Sequence, residues 1–118
     1  MRSPTQRSIA MLREQGYMVD IVEHYNAYAH VRKDMFGWAD LVALHPQKRG
    51  VLAVQTTTGS NLAARVAKAS ATASFKLWVA CGNAVEFHGW RKVLKAGRGT
   101  KMRIWLPAVS RVDLADLL

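Results

Sequence analysis

The sequence predicts an α/β (α+β) fold with a mixed β-sheet, and three observations support this prediction. Short apolar segments with strand character recur along the chain, and helical patterns interrupt them. One of these helices separates the third and fourth strands, a spacing that favours a parallel crossover. The 118 residues are 50% hydrophobic, without a linker or an internal repeat, so we expect one domain covering residues 1–118.

The first element is a helix that begins at Ser3 and ends before Gly16. Ser3 is suited to cap the helix, Pro4 to its first turn, and Gln6 completes a capping box. Glycine is the usual residue just beyond a helix C-terminus because it adopts positive φ readily.

Three strands follow this helix. Their alternating or apolar patterns place them at residues 17–22, 36–44 and 51–57. We predict a polar connector at 23–34 and a turn at 45–50. Together with the helices on either side and the next strand, they predict the order αβββαβ.

The second half of the chain begins with a helix capped by Ser60, whose apolar stripe contains small residues suited to packing on a sheet. We predict further strands at 76–80, 84–90 and 102–106, the last forming a C-terminal β-hairpin extension. The first of these strands would bury Cys81 as a small core residue. A capping-box pattern from Ser110 to Asp113 predicts a short final helix.

The charge of the chain is strongly positive. Seventeen Lys and Arg against eight Asp and Glu leave a net charge of +9, which favours a polyanionic partner, and above all nucleic acid. A single cysteine excludes an internal disulfide, and the four histidines lack metal-ligand spacing, which argues against zinc. Without a leader pattern or a long apolar run, we expect a cytoplasmic protein that is not bound to membranes.

Two neighbouring strands carry the residues of most chemical interest. Asp40 is an acid within an otherwise apolar strand, and Gln55 and Thr57 lie two apart on the next strand, so they share one face of the sheet. A carboxylate opposite polar groups on a neighbouring strand can hold a divalent metal against a phosphate. The pair of strands therefore points to a nuclease.

This pattern, from the first helix through Asp40-Leu41-Val42-Ala43 and Gln55-Thr56-Thr57 to the helix that follows, resembles the PD-(D/E)xK nuclease superfamily. The resemblance is strongest to small Holliday-junction-resolvase-like and phage-encoded members, and it covers about two thirds of the chain. It implies a restriction-endonuclease-like αβββαβ core, Mg²⁺- or Mn²⁺-dependent hydrolysis of DNA and a homodimer. Asp40 matches the first acid of the motif, Gln55 the second in its glutamine variant, and Thr57 the lysine position.

In this interpretation the metal is held by the Asp40 carboxylate, the Gln55 amide oxygen and the Thr56 carbonyl, since Mg²⁺ prefers oxygen ligands. Many members of the superfamily also use a helix-borne glutamate, which is missing near Thr5 and Gln6. Glu23 would replace it if its strand neighbours that of Asp40. Asp34 is either a second metal ligand or, as we favour, a helix cap.

The motif lysine is absent, so another cation must stabilise charge at the phosphate. Arg65 and Lys68 on the helix after the strand, and Lys33 before it, are the candidates. Basic and aromatic residues also interleave around Trp90 and Trp105, where tryptophan either stacks on a base or belongs to the core. The predicted DNA-binding residues are Lys33, Arg65, Lys68, Arg91, Lys92, Lys95, Arg98, Lys101 and Arg103.

Two other functions compete with a nuclease. A catalytically inactive DNA-binding module on the same fold would explain the missing lysine and glutamate. A factor whose basic face binds an acidic protein would explain the charge alone, and competition by DNA would distinguish it.

Overall fold

The computed structural model describes residues 2–94 and 102–117. The helices are α1 (Pro4–Glu14), α2 (Leu62–Ser70) and α3 (Ala73–Ala80). The strands are β1 (Met18–Ile21), β2 (His24–Asn26), β3 (Val31–Lys33), β4 (Leu41–Leu44), β5 (Leu52–Thr58), β6 (Ala84–Leu94) and β7 (Arg103–Val112).

A five-stranded sheet in the order β1-β4-β5-β6-β7 forms the centre of the molecule, and β2 and β3 form a separate hairpin. Strands β5 and β6 are parallel, with α2 and α3 in the crossover between them, and every other pair in the sheet is antiparallel. The predicted mixed sheet is thus confirmed, and a parallel crossover does follow β5, but the strand that completes it is β6 and not the predicted strand at 76–80.

Both faces of the sheet are covered, so β5 is buried on both sides. Leu52 and Val54 of β5 pack with Leu12 of α1 on one face, whereas Ala53 packs with Ala69 of α2 and other residues on the other. Successive residues of a strand point to opposite faces, and this alternation defines an α1 face and an α2/α3 face of the sheet.

The start of α1 follows the sequence prediction closely. The Ser3 hydroxyl accepts a hydrogen bond from the Gln6 N–H at 3.2 Å, and the Gln6 side chain accepts one from the Ser3 N–H at 2.9 Å. Gly16 follows the last turn with φ of 93°. These contacts are local in sequence, which is why the pattern alone predicts them.

Residues 76–80 form the second half of a helix, not the predicted strand. Thr72 caps α3, since its hydroxyl accepts a hydrogen bond from the Phe75 N–H at 3.2 Å. A short apolar run is compatible with either a buried strand or a helix, so the pattern does not decide between them. The prediction for Cys81 is wrong as well, because it is exposed at the end of α3.

The C-terminal hairpin is longer than predicted. Strand β7 runs through Ser110 and pairs with β6 over ten residues, so the predicted helix at 110 is absent. The caps lie three residues later: the Asp113 N–H donates to Asp116 and the Ala115 N–H to Asp113, within a short 3₁₀ turn. Pro107 is tolerated because β7 is an edge strand.

Candidate metal centre

Asp40 lies immediately before β4, on the α1 face of the sheet, and is only 5% exposed. Its Oδ2 accepts a hydrogen bond from the Thr56 N–H at 2.8 Å and lies 3.3 Å from the Thr56 hydroxyl. That hydroxyl is also 2.9 Å from the hydroxyl of Thr5 on α1. These contacts fix the orientation of the Asp40 carboxylate at the junction of α1, β4 and β5.

Two further carboxylates, those of Glu23 and Asp34, meet Asp40 here. One ligand atom from each of the three lies within 4.8 Å of the others. Glu23 precedes β2 and Asp34 follows β3, so the antiparallel pairing of His24 with Lys33 returns the chain to its starting point. Three convergent carboxylates are a set of oxygen ligands suited to a hard divalent cation, so the cluster can hold a metal ion.

The burial of Asp40 beside two other carboxylates raises its pKa. Burial raises this pKa from 3.8 to about 7, and the charges of Asp34 and Glu23 add to the effect, although the Thr56 N–H opposes it. A bound cation would reverse the electrostatic part by neutralising the three carboxylates. Strongly perturbed acids in a cleft are typical of functional sites.

The three carboxylates line an open cleft of about 670 Å³, whose walls come from the start of α1, β5 and the β2–β3 hairpin. Two arginines line it as well. Arg32 forms an ion pair with Glu23 at 3.2 Å, and Arg65 reaches the cleft from α2. A cleft that combines carboxylates with guanidinium groups can bind a cation and an anion together.

Gln55 and Thr57 do not lie with Asp40. They alternate with Thr56 along β5, so their side chains are on the α2/α3 face, and both are buried. Within the described residues, the Gln55 Oε1 has no hydrogen-bond partner. The predicted ligand set of Asp40, Gln55 and the Thr56 carbonyl is therefore corrected. Thr56 donates its N–H and hydroxyl to Asp40, and the carboxylate oxygens that lie near Asp40 are those of Glu23 and Asp34.

The preferred interpretation of Asp34 as a helix cap is wrong. A tight turn follows it, in which the Asp34 carbonyl accepts a hydrogen bond from the Gly37 N–H at 3.1 Å. The alternative interpretation, a ligand beside Asp40, fits the structure, and so does the replacement of the missing acid by Glu23. A signal was present in the sequence, namely two acids flanking a polar segment that contains turn residues.

The predicted cations lie in different parts of the molecule. Arg65 lines the cleft, whereas Lys68 is exposed outside its lining. Lys33 follows Arg32 on β3 and therefore faces away from the cleft, where Arg32 takes its place. Exposed positions on the β6–β7 hairpin hold Arg91, Lys92 and Arg103, while the predicted Lys95, Arg98 and Lys101 lie outside the described residues.

A second polar cluster, not predicted from the sequence, lies buried between α1 and β6. His88 contacts Ser8 through Nδ1 at 2.8 Å and Glu86 through Nε2 at 2.9 Å. Arg111 and Trp90 complete it, donating to Glu86 and Ser8, each at 2.8 Å. Serine, histidine and glutamate are also the residue types of a hydrolase triad, but Ser8 and His88 are fully buried, so we assign the cluster a structural role.

Comparisons of the chain with protein-family models, with curated proteins and with solved structures found no match. Among the described residues, no helix has the length and apolar character needed to cross a membrane.

Proposed function

We propose that the protein is a metal-dependent DNA endonuclease of the PD-(D/E)xK type, which hydrolyses phosphodiester bonds with Mg²⁺ or Mn²⁺. The observation that carries this proposal is the convergence of Glu23, Asp34 and Asp40 in an open cleft that two arginines also line. The net charge of +9 supports a polyanionic substrate.

The roles follow from the chemistry of each group. Asp40, Asp34 and Glu23 would hold the metal, which would supply a Lewis acid for a phosphoryl oxygen and for an attacking water. Thr56 orients the Asp40 carboxylate through its N–H and hydroxyl. Arg65, which lines the cleft from α2, would contact the phosphate in place of the missing motif lysine.

The direct test is incubation of the protein with labelled duplex, branched and single-stranded DNA in Mg²⁺, Mn²⁺ or EDTA. We expect cleavage of at least one substrate with metal and none with EDTA. Faster cleavage of a four-way junction than of its linear arms would identify a resolvase-like enzyme. Absence of cleavage with both metals on all substrates would refute the proposal.

Replacing Arg65 by alanine is expected to slow cleavage about 100-fold, the usual effect of removing one donor that stabilises developing charge. Lys68→Ala is the matched control, because it removes a positive charge from the same helix but outside the cleft. The measurement is the single-turnover rate at saturating metal. Equal losses in the two variants would show that Arg65 acts only through general charge.

A catalytically inactive DNA-binding module is the second candidate. It is favoured by one observation: among the described residues, no lysine lines the cleft, and threonine occupies the facing position of β5. This alternative predicts salt-sensitive DNA binding without cleavage, unchanged by loss of the Asp40 carboxylate. We propose a homodimer for either candidate function, and the molecular mass of the protein in solution tests it.

A further inference from the structure

The β2–β3 hairpin, residues 24–33, projects from the body of the protein. Each of its six strand residues is exposed, and it forms a sheet of its own. Tyr28 near its tip is fully exposed and Tyr25 is 60% exposed. Exposed aromatic rings on a short hairpin contribute little to a core, so packing does not account for these two residues.

Local hydrogen bonds hold the turn of this hairpin and leave its tip exposed. The Asn26 side chain accepts hydrogen bonds from the N–H groups of Tyr28 at 2.9 Å and Ala29 at 3.2 Å. His30 has φ of 52°, and its Nδ1 lies 3.3 Å from the Tyr25 hydroxyl. These contacts stabilise the turn locally while leaving the ring of Tyr28 uncovered.

The hairpin is joined directly to the candidate metal centre. Glu23 precedes it and Asp34 follows it, so both of its ends carry carboxylates of the cluster. Tyr25 and Arg32 are paired across the two strands, hence on one face, and both line the cleft. A nucleotide stacked on Tyr25 would therefore lie beside a phosphate held at the metal.

The chemistry of the hairpin matches a particular form of nucleic acid. It contains two tyrosines, Arg32 and Lys33, and no acidic residue. Aromatic side chains stack on bases whose faces are free, and duplex bases are already stacked on one another. Exposed tyrosines combined with cations are consequently suited to unpaired nucleotides.

We propose that this hairpin binds unpaired nucleotides, with Tyr25 and Tyr28 stacking on bases and Arg32, which shares the cleft side of the hairpin with Tyr25, contacting the phosphate backbone. This inference rests on the proposed nuclease function and specifies its substrate as DNA that is single-stranded or contains an unpaired segment next to the scissile bond. The hairpin thus selects the substrate, and the carboxylates act on it.

The test is equilibrium binding of a labelled single strand and of a duplex of equal length, measured by fluorescence anisotropy in EDTA, where metal-dependent cleavage cannot interfere. The double variant Tyr25→Ala/Tyr28→Ala is expected to lose at least about tenfold in affinity for the single strand, and less than about twofold for the duplex. Tyr25→Phe/Tyr28→Phe is expected to keep the single-strand affinity, because the rings remain although the bond to His30 is lost.

Two further variants serve as controls. Met18→Ala removes an exposed apolar side chain at the start of β1, outside the hairpin, and should leave both affinities unchanged. Lys33→Gln removes a positive charge from the opposite face of the hairpin and should change the single-strand and duplex affinities by the same small factor.

Equal loss of single-strand and duplex affinity in the alanine variant, or no loss of either, would overturn the assignment of the hairpin. Wild-type protein that binds duplex as tightly as single strand would overturn it too. These results are independent of the cleavage assay: a preference for single strands that requires the tyrosines supports the hairpin's role even without cleavage, and metal-dependent cleavage without that preference supports the nuclease alone.

Discussion

The Asp40→Asn variant is expected to bind DNA normally and to cleave it roughly a thousandfold more slowly than the wild type, if the metal contributes several kcal/mol to the transition state. Asp40 is the most buried of the three carboxylates and the only one oriented by Thr56. Asparagine preserves the shape and an oxygen acceptor but removes the charge that a metal requires. The measurement is the single-turnover rate over a range of Mg²⁺ and Mn²⁺ concentrations.

Asp20→Asn is the matched control for this experiment. Asp20 lies on β1, where its carboxylate accepts a local hydrogen bond from the Ile21 N–H and none from any other residue that the structure describes, and it does not line the cleft. We expect it to retain the wild-type rate. Cleavage that survives in Asp40→Asn but requires metal would contradict a metal centre at Asp40.

Asp40→Asn is also expected to stabilise the protein in the absence of metal. The pKa of Asp40 is raised from 3.8 to about 7 in the folded state, so its contribution to stability is fully present below pH 3.8 and is lost as the pH rises through 7. At pH 8 the buried carboxylate is charged and destabilising. Asparagine avoids this penalty, which is about 2 kcal/mol if half of the shift is realised.

Thermal unfolding of the wild type and of Asp40→Asn at pH 5 and pH 8 measures this difference in stability. We expect the Tm of Asp40→Asn to exceed that of the wild type by several degrees at pH 8 in EDTA, and by less at pH 5. Added Mg²⁺ should raise the Tm of the wild type only, because binding to the folded state stabilises it. A variant less stable than the wild type at pH 8 would indicate that Asp40 serves the fold rather than a ligand.

His88→Ala is expected to destabilise the protein by about 3–5 kcal/mol, the usual cost of breaking a buried charged network. Both ring nitrogens of His88 have partners, and its side chain is fully buried. Removing the ring leaves Glu86 and Ser8 short of a partner and creates a cavity between α1 and β6. Urea unfolding at pH 7 measures the loss.

His24→Ala is the control, since His24 is exposed and its replacement should change the unfolding free energy by no more than about 0.5 kcal/mol.

The pH dependence of the unfolding free energy tests the role of Glu86 in the same cluster. Burial alone would raise the pKa of Glu86, but hydrogen bonds and charges from His88 and Arg111 lower it below 4.5. Its contribution to stability is therefore present above pH 4.5 and is lost as the pH falls, and Glu86→Gln should remove this dependence.

Local patterns in the sequence determined much of the fold. The capping box of Ser3 and Gln6 and the terminal Gly16 depend on contacts within a few residues, and they predicted α1 correctly. The helical region after the apolar strand β5 predicted a parallel crossover, because parallel strands need a long connection, although β6 completes it in place of the predicted strand at 76–80. An acid in an apolar strand singled out Asp40, since an unpaired carboxylate is costly to bury.

The composition of the candidate metal centre depended on tertiary structure. Alternation shows that Gln55 and Thr57 share a face, but β5 is buried on both faces, so its sequence does not reveal which one meets Asp40. Glu23 and Asp34 join the cluster only through pairing of the β2–β3 hairpin, a non-local contact. Residues 76–80 illustrate the same limit. A short, mostly apolar run is compatible with a strand or a helix, and the Thr72 cap and packing against the sheet decide for the helix.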